Sequence, residues 1–349
     1  MQQSGPLSAP LDDQTGHWAG PANETPAAVE NAPYPVVIDP IEPPDIEPPD
    51  STPVTKELAH RTVDTDVFPT RWCRISETRF RFTAHWPAVH TFFHPVDDRH
   101  QDPMIVGETL RQASMVLAHA EFGAPDDTHF VMYDLTVFTD PSALLLSDAA
   151  EPVEIDVVCS EIRRRGRGLH SMRTTMEFRR AGRLVARGTG STACTSPLAY
   201  RRLRAQRLTA PVTHLPLPPG IAPEVAGRAR AEDVVLAPAG RPGVWRLRVD
   251  TGHPVLFPRP NDHVPGMVLF EAARQAATAA SGRHPFLPRA MTATFARYAE
   301  LDTPCWIQTQ VLDEEPGQVT VRVEGRQEGK SVFSATLTCA QPARVRSLS

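Results

Sequence analysis

The chain repeats itself, and a duplicated chain has to fold as two similar units. A stretch in the first half recurs 163 residues later without a gap. His90 falls on His253, Pro95 on Pro258, His100 on His263, Met104 on Met267, Glu108 on Glu271, Arg111 on Arg274, Gln112 on Gln275 and Ala113 on Ala276. Eight identities in 24 aligned positions, concentrated on polar residue types, mark an internal duplication. Each copy is a unit of about 110–130 residues.

Hydrophobic periodicity gives both copies the same content. Val106, Leu110, Ala113, Leu117 and Ala120 recur at helical spacing, so 104–121 is expected to be a helix that opens after Pro103. A second helix is expected over 266–281. Strand-like runs cover 80–86, 130–138, 153–163, 171–179 and 184–194, and then 244–249, 292–298, 306–312, 319–327 and 331–339. Arg180-Ala181-Gly182-Arg183 reads as a hairpin turn. One helix and several antiparallel strands thus appear twice, an α+β pattern. The expected organisation is a tail at 1–60, a first repeat at 61–197, a linker at 198–232 and a second repeat at 233–342.

Composition separates the tail from the body. Residues 1–60 hold ten acidic residues, 12 prolines and one basic residue, Lys56, and they include the tandem Ile41-Glu42-Pro43-Pro44-Asp45 and Ile46-Glu47-Pro48-Pro49-Asp50. Such a segment buries too little apolar surface to offset ordering entropy and is expected to be disordered. The body is mildly basic, which suits an anionic ligand or an acidic partner. Its basic residues are nearly all arginines, a compositional bias rather than a nucleic-acid signature, and no nucleic-acid motif is found. No apolar run reaches membrane-spanning length, and the first residues lack a signal-peptide pattern. Cys73, Cys159, Cys194, Cys305 and Cys339 are scattered, form no C-x-x-C, and are expected to be small buried strand residues in a reducing cytoplasm. No metal site is expected.

The polar residues shared by the copies are the functional candidates. Glu108, Arg111 and Gln112 share one helix face, as do Glu271, Arg274 and Gln275. Glu108 lies ~200° from Val106, opposite the aliphatic stripe. A lone pair of this kind is usually a surface ion pair; its recurrence after a His-rich loop of identical length favours a site. His90, His100, His253 and His263 either anchor these loops or orient and shuttle protons. The run Arg163-Arg164-Arg165-Gly166-Arg167, and Arg201, Arg202, Arg204 and Arg207, are either solvated or face an acidic partner.

Pro265-Gly266-Met267-Val268-Leu269-Phe270-Glu271-Ala272, with Gln275 following, resembles the central-helix motif of β-hydroxyacyl-ACP dehydratases. Those are hotdog folds, in which an antiparallel sheet wraps a long helix, and a loop His and a helix acid flank an acyl thioester. Where dehydratases carry a small residue three after the acid, this chain has Arg274 and Arg111. Two fused copies of E-x-x-R-Q resemble the A-factor biosynthesis family of γ-butyrolactone synthases. So do Thr251-Gly252-His253-Pro254-Val255-Leu256-Phe257, Asp262-His263-Val264-Pro265-Gly266-Met267, Asp102-Pro103-Met104, Leu117-Ala118-His119-Ala120-Glu121-Phe122-Gly123 and Tyr200-Arg201-Arg202-Leu203-Arg204. Pro258-Arg259 stands where the family pattern has Asp-His.

The resemblance implies a tandem hotdog fold and an acyltransferase. It would move a β-ketoacyl group from acyl carrier protein to the hydroxyl of glycerone phosphate, without metal or redox cofactor. Such a reaction needs a base, oxyanion donors and a forked cation for phosphate. Glu271 is the candidate base and Arg274 the candidate phosphate or oxyanion ligand. Backbone N–H groups near Gly266 are candidates for the thioester carbonyl. Glu108 with Arg111 forms a second, pseudo-equivalent site, since each copy can lend its loop to the other's helix. No nucleophile elbow is recognisable, so direct transfer is expected. A hotdog dehydratase or thioesterase, and a non-catalytic binding or scaffold protein, are the alternatives. Whether the chain pairs into a homodimer stays open.

Overall fold

The computed structural model describes residues 38–42, 50–146, 151–166, 168–209, 215–313 and 318–340. Most of the expected tail, and Arg167 of the arginine run, lie outside the described residues.

The first half holds β1 (Thr52–Pro53), β2 (Pro69–Arg74), β3 (Arg79–Ala84), α1 (Met104–Ala120), β4 (His129–Thr139), β5 (Val153–Arg165), β6 (Gly168–Arg180) and β7 (Arg183–Thr195). Three short helices follow, α2 (Pro197–Leu203), α3 (Ala205–Thr209) and α4 (Pro223–Ala226). The second half holds β8 (Leu236–Arg241), β9 (Val244–Leu247), α5 (Gly266–Ser281), β10 (Pro288–Phe295), β11 (Trp306–Asp313), β12 (Gln318–Gln327) and β13 (Lys330–Ala340). Both expected long helices form, and the segment expected as a linker carries α2, α3 and α4.

All thirteen strands join one antiparallel sheet in the order β1-β2-β3-β5-β6-β7-β4-β10-β13-β12-β11-β9-β8. Leaving β1 aside, the order reads the same from either end: β2, β3, β5, β6, β7 and β4 mirror β8, β9, β11, β12, β13 and β10. The halves meet where β4 pairs with β10, from Asp134 opposite Thr294 to Phe138 opposite Ala290. The turn between β6 and β7 places Ala181 and Gly182 at φ 47° and 73°, the left-handed pair that a two-residue hairpin needs.

Helix α1 packs on β2, β4, β6 and β7, and α5 on β8, β11, β12 and β13. The helices also touch one another. A Cβ on Gly107 would lie 3.2 Å from the ring of Phe270, and Phe270 is the residue that matches Gly107 in the repeat. Thirteen of the seventeen residues of α1 and twelve of the sixteen of α5 are buried, so neither helix keeps a free polar face. Glu108, Gln112, Glu271 and Gln275 all have 0 % exposure. Burial without partners would be prohibitive for a carboxylate, so each must be compensated from within the fold. No helix among the described residues is long and apolar enough to cross a membrane. Cys73, Cys159, Cys194 and Cys339 sit in strands and Cys305 just before β11; all are free thiols.

Candidate active site

Compensation comes from arginines. Glu271 Oε1 accepts from Arg228 Nε at 2.7 Å, Arg274 Nη2 at 2.8 Å and Gln275 Nε2 at 2.7 Å. Its Oε2 takes Arg274 Nε at 2.9 Å and Arg228 Nη2 at 2.7 Å. Glu108 repeats this. Its Oε1 meets Arg61 Nη2 at 2.5 Å and accepts from Arg111 Nη2 at 2.6 Å and Gln112 Nε2 at 2.7 Å, while Oε2 accepts from Arg111 Nε at 3.0 Å. Burial raises the pKa of both carboxyls, but the charges of Arg111 and Arg61 hold Glu108 down to about 2. Arg228 and Arg274 do the same for Glu271, also to about 2.

The glutamines fix the chain in front of each helix. Gln112 donates to Asp66 O and accepts from Phe68 N, and Gln275 donates to Asp233 O and accepts from Val235 N. These contacts belong to a part of the repeat shifted by four residues, with an offset of 167. Glu57, Ala59, Arg61, Asp66 and Val67 match Glu224, Ala226, Arg228, Asp233 and Val234. Arg61 and Arg228, which the sequence reading left in the tail boundary and the linker, belong to the centre of the site. The shifted repeat is the signal that could have found them.

Each arginine then reaches across the duplication. Arg61 Nη1 donates to Val255 O at 2.7 Å, and Arg228 Nη1 donates to Phe92 O at 3.1 Å. Val255 and Phe92 are matching residues in the two His-led loops, so each copy does place its loop over the other's helix. His90 and His253 serve those loops. His90 Nδ1 accepts from Phe92 N and Phe93 N, and Nε2 faces Asp66 Oδ1 at 3.2 Å. His253 Nδ1 accepts from Val255 N and Leu256 N, with Nε2 facing Asp233 Oδ1 at 3.1 Å. Both ring nitrogens are engaged in each case, which is the loop-anchoring arrangement.

His100 and His263 lie in other networks. His100 Nδ1 faces Asp97 Oδ1 at 2.8 Å. His263 Nδ1 lies 2.8 Å from Asp262 Oδ1, which also accepts from Tyr200 Oη at 2.5 Å. Arg204 joins Asp262 at 2.9 Å to Glu300 at 2.6 Å, and so clamps α2 to the second half. At the α5 N-terminus, a Cβ on Gly266 would lie 2.8 Å from Met132 Cε, so the Met132 side chain of β4 packs directly against that glycine.

The two clusters differ in charge and access. Around Glu271, Arg228 Nη1 also pairs with Asp102 Oδ2 at 2.6 Å, giving two carboxylates and two guanidiniums. Asp102 matches Pro265, so Arg61 has no such partner. Near Glu108 there is instead a third arginine. Partial burial of its guanidinium, then the charges of Arg111 and Arg61, lower the pKa of Arg259, although the residue as a whole is exposed; it makes no hydrogen bond or ion pair among the described residues. The Arg111 side chain keeps 16 % exposure, against 3 % for Arg274. Neither a cavity of ~120 Å³ under residues 215–218 and β9 nor a smaller one beside His253 is lined by Glu271 or Arg274.

Histidine 60 is a further residue the sequence reading did not single out. It has φ 56°, where the matching residue is Gly227 at φ 63°. Its Nε2 lies 2.8 Å from His119 Nε2, and His119 Nδ1 lies 2.9 Å from Ala124 O. A carbonyl only accepts, so His119 carries its proton on Nδ1 and accepts from His60 Nε2–H. That leaves His60 Nδ1 as an open lone pair. Burial first, then the charges of Arg259, Arg111 and His119, push the His60 imidazole down to about 3.

The family model and the named relatives point to one family. A family model described as the A-factor biosynthesis hotdog domain matches residues 44–196 and 209–341. A Streptomyces virginiae protein named 2-oxo-3-(phosphooxy)propyl 3-oxoalkanoate synthase is 46% identical over 285 residues, covering 81% of this chain and 96% of its own. One of the same name from Streptomyces griseus subsp. griseus is 43% identical over 309 residues, covering 87% of this chain and 96% of its own. Among solved structures, the 12:0-ACP thioesterase from Umbellularia californica aligns with a TM-score of 0.45 at 13% identity, over 75% of this chain and 98% of that one.

Proposed function

Because the chain belongs to the A-factor biosynthesis hotdog family, we propose that it is an acyltransferase making the phosphorylated ester for which its relatives are named. A 2-oxo-3-(phosphooxy)propyl 3-oxoalkanoate is a β-ketoacyl ester of glycerone phosphate. The hydroxyl oxygen of glycerone phosphate attacks the thioester carbonyl of a β-ketoacyl-acyl carrier protein. The new C–O bond forms, the C–S bond breaks, and the hydroxyl proton ends on the released carrier thiol. The observation that carries the reading is the extent of the likeness, 43–46% identity across almost the whole length of relatives of that name. We read the architecture as two fused hotdogs and the reaction as cytoplasmic.

The geometry supports a refined division of roles. Glu271, the base suggested by the sequence, already accepts four hydrogen bonds, with Arg228 Nη2 a further 2.7 Å ion-pair contact at Oε2. A carboxylate so engaged orients its arginines rather than taking a proton from a hydroxyl. Glu108 has the same orienting part toward Arg111 and Arg61. His60 Nδ1, unlike the nitrogens of His90 and His253, is open to accept a hydrogen bond from the substrate hydroxyl, but with its pKa down to about 3 the imidazole is too weak a base to keep the proton. The acceptor's phosphate calls for arginine forks.

The test mixes purified protein with a β-ketoacyl-acyl carrier protein and glycerone phosphate, and follows free carrier and ester by mass spectrometry. Ester formed with carrier release supports the transferase. Carrier release without ester identifies a thioesterase, and a thioester that stays intact yet is bound by the protein identifies a binding protein.

A further inference from the structure

The duplication supplies an internal reference for every residue of the site, and against it the Glu108 end stands out as an unbalanced cation. Arg61 and Arg111 share one carboxylate there, Arg259 follows four residues after the Val255 carbonyl that Arg61 holds and feels the charges of both arginines, and the neighbouring His60 is an uncharged imidazole. At the Glu271 end, Asp102 balances the second arginine. The excess at the Glu108 end is therefore close to two positive charges, and the excess at the Glu271 end is zero. An uncompensated cluster of this kind is destabilising by itself, because like charges repel at short range. An anion bound there would neutralise it.

The elements that hold the cluster are fixed on both sides. Arg61 is pinned by Glu108 and by Val255 O, and that second bond also fixes the loop from which Arg259 projects four residues later. Arg111 spends Nε and Nη2 on Glu108, whereas its Nη1 has only the thioether of Met115, at 2.9 Å, as an acceptor. A thioether is a weak acceptor, so this N–H can turn to a stronger one. Arg259 has all its donors uncommitted among the described residues. Arg111 and Arg259 thus bring free donors to a rim that solvent reaches, with Arg61 behind them as a fixed charge.

We propose that Arg111 and Arg259 form a phosphate-monoester subsite at the Glu108 end, completed by a loop from the second repeat, while the Glu271 end is a locked structural counterpart. This rests on the acyltransferase reading for the identity of the monoester as glycerone phosphate, but not for the binding of phosphate. The phosphodiester of a carrier's pantetheine arm shares part of this chemistry. A monoester is favoured because its dianion matches the excess of two positive charges better than the single charge of a phosphodiester.

The experiment compares wild-type protein with Arg259→Ala and Arg259→Lys. Arg259 is exposed and makes no internal bond, so both variants are expected to fold. Inorganic phosphate and glycerone phosphate are titrated by calorimetry at low ionic strength. We expect Arg259→Ala to weaken both by about tenfold, the size of one charge-assisted hydrogen bond, and Arg259→Lys to recover part of the loss. In turnover assays KM for glycerone phosphate should rise by a similar factor with KM for the acyl donor unchanged. Phosphate affinity unaltered by Arg259→Ala overturns the subsite. So does a KM effect confined to donors that carry the pantetheine phosphodiester, seen by comparison with a simple alkyl thioester. If wild-type protein binds inorganic phosphate through Arg259 yet makes no ester, the subsite stands and the transferase reading falls. If ester forms normally in both variants, the transferase stands and the subsite falls.

Discussion

The two ends of the duplicated unit start from one motif and arrive at different electrostatics. Around Glu271 the charges balance, since Asp102 answers Arg228, and the Arg274 side chain is 3 % exposed. Around Glu108 the residue that matches Asp102 is Pro265, Val96 has its counterpart in Arg259, and Gly227 has its counterpart in His60. Three substitutions at matched positions convert a neutral, closed knot into a cationic, accessible one. Duplication makes this affordable in physical terms, because one copy can keep the fold tied while the other carries charge that the fold alone would not favour.

If that division is right, the largest effect belongs to the closed end. Glu271→Ala leaves Arg228 and Arg274 buried without their carboxylate, and is expected to lower stability by about 3–5 kcal/mol. Glu108→Ala also strips buried Arg61, but Arg111, with 16 % exposure, can turn to water and the variant should lose less. Urea denaturation of the two variants side by side measures the difference; equal losses would break the comparison. Asp102→Asn comes next. It keeps an acceptor for Met104 N, 2.9 Å from Oδ1, but removes the charge facing Arg228. The expected loss is about 1–3 kcal/mol with the affinity for inorganic phosphate unchanged, since Asp102 sits at the other end. A drop in phosphate affinity would show that the two ends are not separate.

Much of this was legible in the sequence, and the parts that were not have a common cause. The helices, the strands from β3 to β7 and from β9 to β13, and the glutamate, arginine and glutamine of each cluster follow from periodicity and from an ungapped repeat. Arg61 and Arg228 were missed because a four-residue shift separates their repeat from the other, and because Pro- and Ala-rich surroundings look like linker. The burial of Glu108 was hidden for a different reason. A helix whose far side packs under a loop from another repeat carries no aliphatic stripe there, so its pattern reads as a solvent face. His60 carries no sequence signal beyond its place opposite Gly227. Its backbone angle shows what the letters do not, that a side chain has been kept where glycine would be easier.

That residue gives the smallest and most diagnostic effect. His60→Gly copies the other repeat. It relieves a left-handed residue, worth about 1–2 kcal/mol, and loses the bond to His119 and ring contacts with His119 and Phe130, worth about as much together. Near pH 7 the net change is therefore expected within about 1 kcal/mol of zero. Acid separates the proteins. His60 takes up its proton near 6.5 when unfolded and only near 3 when folded. Between those values the unfolded chain binds the extra proton, so the wild-type protein loses stability as pH falls through that window. Glu108 and Glu271, held down to about 2, also lose their contribution on acidification, but they do so in both proteins and cancel in the difference. His60→Gly should thus gain on the wild type as pH drops from 6.5 toward 3, in urea midpoints measured across that range. Arg259→Ala removes the first charge that depresses His60 and should shift the same limb part of the way. Parallel curves for all three proteins would mean that His60 does not feel the cationic end, and the asymmetry between the repeats would then be one of shape rather than charge.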